Sequence, residues 1–407
     1  MAHTAADETT TPAPDLLTHL GRNSQKSAGS VNLPMYFSST ILFESYAEFK
    51  AARDHRYEPG RLYYGRYGTP ATFELEAMLA RLEEGHGAVV VSSGLTAVTL
   101  ALLAFVKTGQ HILISDSVYG PARHFCDFVL SRMGIETTYY DPSIGVGIES
   151  LVRPETAVIY MESPGSGTFE VQDVGAIAAV ARSRNIVSII DNTWATPLFF
   201  KPLRHGVDVS IHAGTKYLTG HSDAMIGAII TTERHYDTVR HMTLAVGDRS
   251  GPEEVFLTLR GLRTLDVRMA RHQETGLALA EWLIRQPEVV RVLHPAFPSC
   301  PGHEIWKRDF QGASGLFAFR LKPCSERALE AFIDHMKLFS IGLSWGGYES
   351  LILPAEPNRS FPKHPDEKGP LVRIHAGLES PASLIADLEA GFGRLRSVVK
   401  NEMSDHV

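Results

Sequence analysis

Cysteine is scarce in this chain, which has 407 residues and only Cys126, Cys300 and Cys324. Because these three are widely separated and odd in number, they indicate neither a disulfide framework nor the CxxC pair of a metal or redox site. The chain has no HExxH motif, and its histidines show no metal-ligand spacing. The sequence therefore predicts no metal site, and its cysteine usage favours a reducing, cytoplasmic setting.

Positive charge is not in excess. Lysine and arginine number 39 against 46 aspartate and glutamate residues, which gives a net charge of −7. Proteins that bind nucleic acid through its phosphates usually present a basic stripe, so we expect no nucleic-acid partner. The first residues contain neither the basic nor the apolar segment of a signal peptide, and residues 1–15 are predicted to form a disordered tail.

Long apolar runs are also rare. One run, residues 88–106, is uncharged and about as long as a membrane-spanning helix. Small or polar residues interrupt it at Ser92, Ser93, Gly94, Thr96 and Thr99. A buried strand, AVVVSS, followed by a glycine turn and a helix explains this run better than a membrane span does. We therefore expect no membrane partner.

The chain does contain short apolar runs that alternate with helix-like segments after Thr72. These runs are AVVVSS, HILISD, AVIYMES, VSIIDN, VDVSIH and AMIGAII. Buried strands that alternate with helices are typical of an α/β fold with a mostly parallel sheet. Several runs end in polar residues, among them Asp116, Glu162 and Asp191, and ligands of open α/β sheets bind at that edge.

Three regions are predicted after the tail. Residues 16–67 are rich in aromatic and turn residues but have few apolar repeats, so we expect an arm that packs on another surface. Residues 68–262 form the α/β domain, and a long helical stretch from Val255 leads out of it. Residues 263–407 combine helical segments with strand-like runs such as GLFAFRL, SLILP and LVRIHAG, which predicts a smaller α+β domain.

The segment DVSIHAGTKYLTGHSD, residues 208–223, contains a lysine in unusual surroundings. Lys216 follows a predicted strand and is flanked by Gly214, Thr215, Gly220 and His221, which leave space around an amine. A lysine in an enclosed site can lose its proton and attack a carbonyl group to form a Schiff base. A buried or snorkelling structural lysine is the alternative.

Asp191, in the segment SIIDNTWATP, ends another apolar strand. A lone carboxylate there is unfavourable unless a cation or a hydrogen-bond donor contacts it. Capping of the following turn is one explanation. Pyridoxal phosphate is another, since it requires a Schiff-base lysine and a carboxylate at its pyridine nitrogen. The segment SSGLTAV enters a helix through a glycine turn, and such a turn presents backbone N–H groups to a phosphate.

These three segments, together with YYGRYGTP, SVYGPARHF, RGLRTLDVRM and SWGGYESL, resemble the Cys/Met-metabolism family of pyridoxal-phosphate enzymes. The resemblance extends from about Leu16 to Arg396. It implies the aspartate-aminotransferase-like fold (fold type I), pyridoxal 5'-phosphate as the cofactor and an amino acid as the substrate. It also implies a homo-oligomer, with a tetramer built as a dimer of dimers as the expected form.

The family pattern implies a role for each residue that matches it. Lys216 would bond covalently to the cofactor, and Asp191 would pair with its pyridinium nitrogen. Tyr119 would stack on the ring and, with Tyr64, assist Lys216 in catalysis. Arg373 would bind the substrate α-carboxylate as a bidentate fork. The cofactor phosphate would be bound by Gly94, Leu95 and Thr215 of the same chain and by Tyr64 and Arg66 of the neighbouring subunit.

Four features resemble the branch of the family that cleaves cystathionine by β-elimination in proteobacteria. They are Trp345 in SWGG, Trp194 in DNTWATP, the segment SPGSGTFE, and the run GHEIWKRDFQGASGLFAF. The implied reaction releases homocysteine, pyruvate and ammonia from L-cystathionine. Ala213 is a departure, because many members have a phosphate-binding serine three residues before the lysine. We therefore expect another group to replace that serine, or this phosphate contact to be missing.

Several alternatives remain open. A β-lyase of cystine or S-alkylcysteine, a γ-lyase or a γ-synthase would share every cofactor residue, and a regulator without turnover would share the fold. The segment GLSWGG also spells the G-x-S-x-G of a hydrolase nucleophile elbow, with Asp366 and His375 after it in chain order. Because a strand-like run and not a helix follows Ser344, we expect Ser344 and Trp345 to line the substrate pocket instead.

Overall fold

The computed structural model describes residues 12–22, 27–361 and 368–404, which contain two sheets. The larger sheet consists of β1 (Gly87–Val91), β2 (His111–Ser115), β3 (Glu136–Tyr140), β4 (Thr156–Glu162), β5 (Val187–Asp191), β6 (Val209–Ala213) and β7 (Gly227–Thr231). Their spatial order is β1-β7-β6-β5-β4-β2-β3. Strand β7 runs antiparallel to β1 and β6, and the other pairs are parallel. The predicted mostly parallel α/β sheet is therefore confirmed.

The smaller sheet follows in the chain and is antiparallel throughout. It consists of β8 (Val289–Leu293), β9 (Leu316–Leu321), β10 (Leu351–Ala355) and β11 (Leu371–His375), in the spatial order β10-β11-β9-β8. The predicted second, smaller α+β part is thus confirmed.

Strands β3 and β8 were absent from the predicted runs. Strand β3, ETTYY, lies at the edge of the large sheet and is mostly half-exposed, so it lacks the apolar run of an inner strand.

The α-helices are α1 (Ala13–His19), α2 (Tyr46–Asp54), α3 (Pro70–Glu83), α4 (Gly94–Phe105), α5 (Gly120–Phe125), α6 (Val174–Ser183), α7 (Thr196–Phe199), α8 (Glu233–Val246), α9 (Pro252–Leu262), α10 (Leu265–Ile284), α11 (His303–Asp309), α12 (Glu326–Ile333) and α13 (Pro381–Ser404). The helical stretch predicted from Val255 onward is divided into α9 and α10. From α10, the Arg268 guanidinium donates to the carbonyl oxygens of Tyr217 and Gly261, each at 2.8 Å. Helix α10 therefore fixes the backbone directly after Lys216.

The packing of the two core clusters shows which side chains of β5 point to each face of the large sheet. Ile189 of β5 packs with α4 on one face of the large sheet, whereas Ile190 packs with α6 on the other. Because side chains alternate along a strand, Asp191 points to the same face as Ile189. The uncharged run of residues 88–106 forms β1 and α4 within this core. No helix in the described ranges has both the length and the hydropathy needed to cross a bilayer.

The predicted arm lies on the surface of the chain and exposes apolar side chains. Val31, Phe37 and Leu42 are 64%, 67% and 89% exposed. A β-bridge joins Thr40 to Tyr64. Helix α1 begins within the stretch predicted as a tail, and residues 1–11 of that stretch lie outside the described residues. The domain boundaries at residues 15, 67 and 262 stay predictions.

Candidate active site

A cavity of about 350 Å³ lies where the large sheet meets the C-terminal part of the chain. Its walls come from the ends of β4, β5 and β6, from the first turn of α4 and from the small sheet. Residues predicted for the site that line the cavity are Gly94, Leu95, Tyr119, Asp191, Thr215, Lys216, Trp345 and Arg373. Ser344 lies beside them and accepts a hydrogen bond from the Lys216 amine. Parallel packing of the strands thus brings together residues far apart in sequence.

Lys216 presents its amine to this cavity from the turn after β6. Its Nζ donates to Ser344 Oγ at 2.8 Å and lies 5.4 Å from the centroid of the Trp345 ring. Burial, and next the charge of Arg373, lower the pKa of Lys216 to about 8, while Asp191 acts in the opposite direction. A much larger fraction of this amine is therefore neutral near neutral pH than for an ordinary lysine, as attack on a carbonyl requires.

Gly346 allows the SWGG loop to contact the lysine segment. Its φ of +87° is in the left-handed region, and a Cβ there would lie 2.9 Å from the carbonyl carbon of Lys216. The Gly346 amide also donates to His375 Nε2 at 3.1 Å. A side chain at this position would force the loop away from Lys216.

The same loop does not have the architecture of a nucleophile elbow. Ser344 Oγ accepts a hydrogen bond from Lys216, and His375 Nε2 contacts the backbone of Gly346 and Gly347. The loop continues into strand β10, whereas an elbow continues directly into a helix. Asp366, the acid of the hydrolase alternative, lies outside the described residues.

Asp191 is half-buried at the end of β5, and it lines the cavity. The amide of Thr193 donates to Oδ1 at 2.9 Å, and the Thr193 hydroxyl donates to the same oxygen. This is the turn contact considered from the sequence, and it leaves Oδ2 for another donor. Burial raises the pKa of Asp191, although the donors on Thr193 and the charges of His212 and Lys216 oppose the shift. A cationic ligand nitrogen at Oδ2 would stabilise the carboxylate further.

The first turn of α4 forms a cradle suited to an anion. Ser93 caps the helix, and its hydroxyl accepts from the Thr96 amide at 3.1 Å. Gly94 packs so closely on Ala213 that a Cβ on the glycine would overlap the alanine side chain. The free amides of this turn and the hydroxyls of Ser93 and Thr215 line the cavity beside Lys216. An amine, a carboxylate and an anion cradle are the three features that pyridoxal phosphate requires, so the residues fit this cofactor.

Comparisons with known proteins agree with this fit. Residues 15–393 match the model of the family described as Cys/Met metabolism PLP-dependent enzyme. The chain belongs to this family. It is 46% identical to a putative cystathionine β-lyase of Rhizobium johnstonii, over 94% of this chain and 96% of the relative. It is 44% identical to cystathionine β-lyase MetC of Escherichia coli, over 93% and 98%.

Other matches extend the comparison within the Cys/Met family. An L-alanine/L-glutamate racemase of Wolbachia pipientis is 42% identical over 93% of this chain and 96% of its own length. The crystal structure of metB from Corynebacterium glutamicum superposes with a TM-score of 0.86 at 30% identity, covering 96% of this chain and 100% of that one. The expected fold, cofactor class and enzymatic nature are therefore confirmed: the chain is a pyridoxal-phosphate-dependent enzyme.

Arg373 reaches the cavity from β11, which lies between β10 and β9 in the small sheet. Its Nη2 donates to the carbonyl oxygen of Leu343 at 2.8 Å, which orients the guanidinium along the SWGG loop.

Tyr64 and Arg66 are placed differently. Arg66 Nη1 donates to the carbonyl oxygen of Leu244, and Tyr64 lies at the start of a surface turn with 44% exposure. Neither residue is among those that line the cavity of its own chain.

Glu162 is a cavity residue that the sequence-based site prediction missed. It ends β4 directly beside Asp191 on β5, and its Oε2 accepts a hydrogen bond from the Tyr119 amide at 2.6 Å. Burial, and next the charge of Asp191, raise the pKa of Glu162 well above its usual range. Its protonated form is therefore favoured more strongly than that of an exposed glutamate. The available signal was its position at a strand end in AVIYMES, which it shares with Asp191.

Proposed function

We propose that this enzyme is a cystathionine β-lyase, which cleaves the Cβ–S bond of L-cystathionine and, with one molecule of water, releases homocysteine, pyruvate and ammonia. The observation that supports the proposal is the Lys216 amine, which has a lowered pKa and lies in one cavity with Asp191 and Arg373. The identity to relatives named cystathionine β-lyase supports the choice of substrate. Its three dispersed cysteines support a cytoplasmic location.

Each cofactor-binding residue has a separate task in this proposal. Bound pyridoxal phosphate supplies an aldehyde and an electron-accepting ring. Lys216 would hold the aldehyde carbon, Asp191 the pyridine nitrogen, and Tyr119 one face of the ring. The phosphate would lie at the first turn of α4, bound by Gly94, Leu95 and Thr215. The Ser93 hydroxyl, at the same turn, would replace the serine that is absent at Ala213.

The substrate would be oriented by Arg373, which binds its α-carboxylate through two parallel hydrogen bonds. Lys216 would take the proton from Cα and then deliver a proton to the departing sulfur. Ser344 would hold the Lys216 amine between these two positions. The pKa of the Tyr119 hydroxyl is raised by burial and by the charges of Glu162 and Asp191, so this phenol keeps its proton. Tyr119, with Tyr64 of a neighbouring subunit, would donate hydrogen bonds to the substrate amine.

The arm supports an oligomer in which two chains complete each site. Tyr64 and Arg66 belong to this arm, whose apolar side chains are exposed, and they are not among the residues that line their own chain's cavity. We infer that the arm packs on a second copy and that these two residues reach the cofactor phosphate of that copy. A dimer is the minimum, and a dimer of dimers is the proposed assembly.

The direct test is to add L-cystathionine to the purified holoenzyme and to measure pyruvate and free thiol together. Equal amounts of the two are expected. Lys216→Ala should lower the rate roughly 10²–10⁴-fold or more, because it removes the group that moves the proton. Lys201→Ala is the matched control, since that amine pairs with Glu84 at 2.7 Å, away from the cavity. Production of 2-oxobutyrate from cystathionine would instead identify a γ-lyase, and absence of turnover would favour a regulator.

Racemisation of an amino acid is a second candidate function. It is favoured by the 42% identity to a protein named L-alanine/L-glutamate racemase. The first step, removal of the Cα proton by Lys216, is common to both reactions, and a racemase returns a proton to the opposite face of Cα. Tyr119, whose phenol keeps its proton, would return it. Incubation with L-alanine and chiral analysis for D-alanine tests the racemase function. A separate assay, pyruvate release from cystine or S-alkylcysteine, tests for a β-lyase of broader substrate range.

A further inference from the structure

One wall of the cavity is a segment that we call the wall loop, residues 163–170, with the sequence SPGSGTFE. Pro164, Gly165, Ser166, Gly167 and Phe169 line the cavity. On its inner side the loop packs on the turn after β2. There the Ser166 amide donates to the carbonyl oxygen of Ser117 at 2.7 Å, and a Cβ on Gly165 would overlap the Ser117 side chain.

The outer side of the wall loop is held by Arg359, which belongs to the connection between β10 and β11 of the small sheet. Its Nη1 donates to Glu170 Oε1 at 2.7 Å and to Thr168 Oγ1 at 3.1 Å. Its Nε donates to Asp116 Oδ2 at 2.7 Å. One guanidinium therefore ties the small sheet both to the wall loop and to the end of β2.

Asp116 is the anchor that fixes the position of Arg359. This carboxylate is fully buried, and besides Arg359 it accepts hydrogen bonds from the Ser360 amide at 2.8 Å and from Arg123 Nη2 at 2.6 Å. Burial alone would raise the pKa of Asp116, but the donors on Ser360, Arg359 and Arg123 lower it below its usual value. The carboxylate therefore stays charged, and its hydrogen bond from Arg359 Nε, together with those that Arg359 Nη1 makes to the wall loop, leaves this guanidinium little freedom.

We propose that Arg359 is a positioning residue for the substrate. Through its hydrogen bonds to Thr168 and Glu170 it holds the wall loop in the position at which the cavity has the width that the bound amino acid requires. The wall loop contacts the cavity but contains none of the residues assigned to the cofactor, so its displacement should weaken substrate binding and leave cofactor binding intact. The inference rests on the proposed function for its substrate. It also gives a task to SPGSGTFE, one of the four segments that resemble the β-eliminating branch of the family.

The test compares Arg359→Ala with Arg308→Ala in the holoenzyme. Arg308 is a matched control, because it also links the later part of the chain to the large-sheet region, through Asp173 at 2.9 Å, but at the start of α6 and not at the wall loop. Two readouts are measured. One is KM and kcat for L-cystathionine, with the cofactor absorbance recorded in the same samples. The other is hydrogen exchange of residues 165–171, whose amides are hydrogen-bonded at Gly165, Ser166, Phe169 and Val171.

Arg359→Ala should raise KM about five- to tenfold, with kcat changed less than about twofold and the cofactor band unchanged. It should also speed exchange of residues 165–171 by about tenfold or more, while Arg308→Ala changes neither readout. If both variants exchange at the wild-type rate, or if kcat falls with KM unchanged, the proposal is overturned. Arg359→Lys keeps the charge but has one nitrogen in place of the Nε and Nη1 atoms that bind Asp116 and the wall loop. Its KM and its exchange rate should therefore lie between those of the wild type and of Arg359→Ala. It replaces the alanine variant if that variant fails to fold.

The two readouts separate this inference from the proposed function. A wild-type enzyme that releases no pyruvate would refute the β-lyase proposal, whereas hydrogen exchange would still report whether Arg359 holds the wall loop. Conversely, an active enzyme with unchanged exchange and KM in Arg359→Ala would leave the lyase proposal intact and refute the positioning role.

Discussion

Individual residues in the cavity owe their chemistry to burial. The same surroundings that disfavour the charged form lower the pKa of the Lys216 amine and raise that of the Glu162 acid. Burial also raises the pKa of Asp191, but the two hydrogen bonds from Thr193 and the positive charges of His212 and Lys216 oppose that shift. The strand ends thus favour the neutral form of the amine and of the Glu162 acid more than water does, while the donors around Asp191 favour its carboxylate.

The lowered pKa of Lys216 should be visible in cofactor binding by the apoenzyme. Only the neutral amine attacks the aldehyde, so the binding rate should rise about tenfold between about pH 7 and pH 9 and then reach a plateau. The midpoint should lie near the pKa of about 8. Stopped-flow absorbance measures the rate, and a free lysine derivative in the same buffers corrects for ionisation of the cofactor. A rate that still rises steeply above about pH 9.5, as for an ordinary lysine, would contradict the assigned pKa.

The raised pKa of Glu162 can be tested by a pair of substitutions. Glu162→Gln mimics the protonated acid and keeps an acceptor for the Tyr119 amide, so the dissociation constant of the cofactor should stay within about threefold of wild type. Glu162→Ala removes that acceptor and leaves a buried N–H unpaired, so the constant should rise about tenfold. Fluorescence titration of the apoproteins measures both. Equal loss of affinity in the two variants would mean that a charged carboxylate is needed at this position.

At the scale of elements, the site is assembled by close approaches between loops and helix ends that side chains would prevent. Gly94 brings α4 onto Ala213 at the end of β6, and Gly346 brings the SWGG loop onto the backbone of Lys216. Arg268 then fixes α10 to the same lysine segment. The position of the amine therefore depends on three elements that come from different parts of the chain.

Gly346→Ala should damage the site and the fold together. The φ of +87° and the approach of 2.9 Å to Lys216 predict a loss of roughly 1–3 kcal/mol in the free energy of unfolding. Thiol release from cystathionine should also fall, since the loop can no longer reach the amine. Gly393→Ala is the control: this glycine lies in α13 with nothing within 4 Å of an added Cβ, so it should gain about 0.5–1 kcal/mol. Thermal unfolding and the pyruvate assay compare the two variants.

At the scale of the whole molecule, each chain has a cavity and, elsewhere on its surface, an arm with exposed apolar side chains. Leu42 and Phe37 in the arm are among its most exposed apolar side chains, and Leu343 at the rim of the site is 85% exposed. Exposed apolar surfaces of this kind mark interfaces in soluble proteins. A second copy that covers the arm would also bring Tyr64 and Arg66 to the neighbouring cavity, as proposed above.

Shared sites predict complementation between two inactive variants. Lys216→Ala lacks the amine in its own cavity, and Arg66→Ala lacks the residue supplied to the neighbour. In randomly mixed dimers, half of the molecules are hybrids and each hybrid has one site with both residues native. Mixing after reversible dissociation should therefore restore about a quarter of wild-type activity. Each variant dissociated and reassociated alone is the control. An inactive mixture in which native mass spectrometry detects hybrid dimers would place Arg66 in its own chain's site.

The apolar runs and their spacing were sufficient to predict the α/β sheet and the smaller α+β part, whereas the cofactor class was implied by the resemblance to the Cys/Met-metabolism family. Buried inner strands need continuous apolar side chains, and a reactive lysine needs small neighbours, so both leave a local signal around Ile189 and Lys216. Strand β3 was missed because an edge strand needs no such run. The roles of the individual site residues remain predictions, although eight of them line one cavity.

The sequence by itself determined which chemical groups are available and at which strand ends they lie. Only the tertiary structure decided that the pKa of Glu162 is raised beside Asp191, because burial and the Asp191 charge arise from strands β4 and β5 pairing in register. It likewise decided that Arg359, 243 residues after Asp116, binds that carboxylate and the wall loop at once. Contacts between distant segments depend on how the whole chain packs, and no local pattern of residue types encodes them.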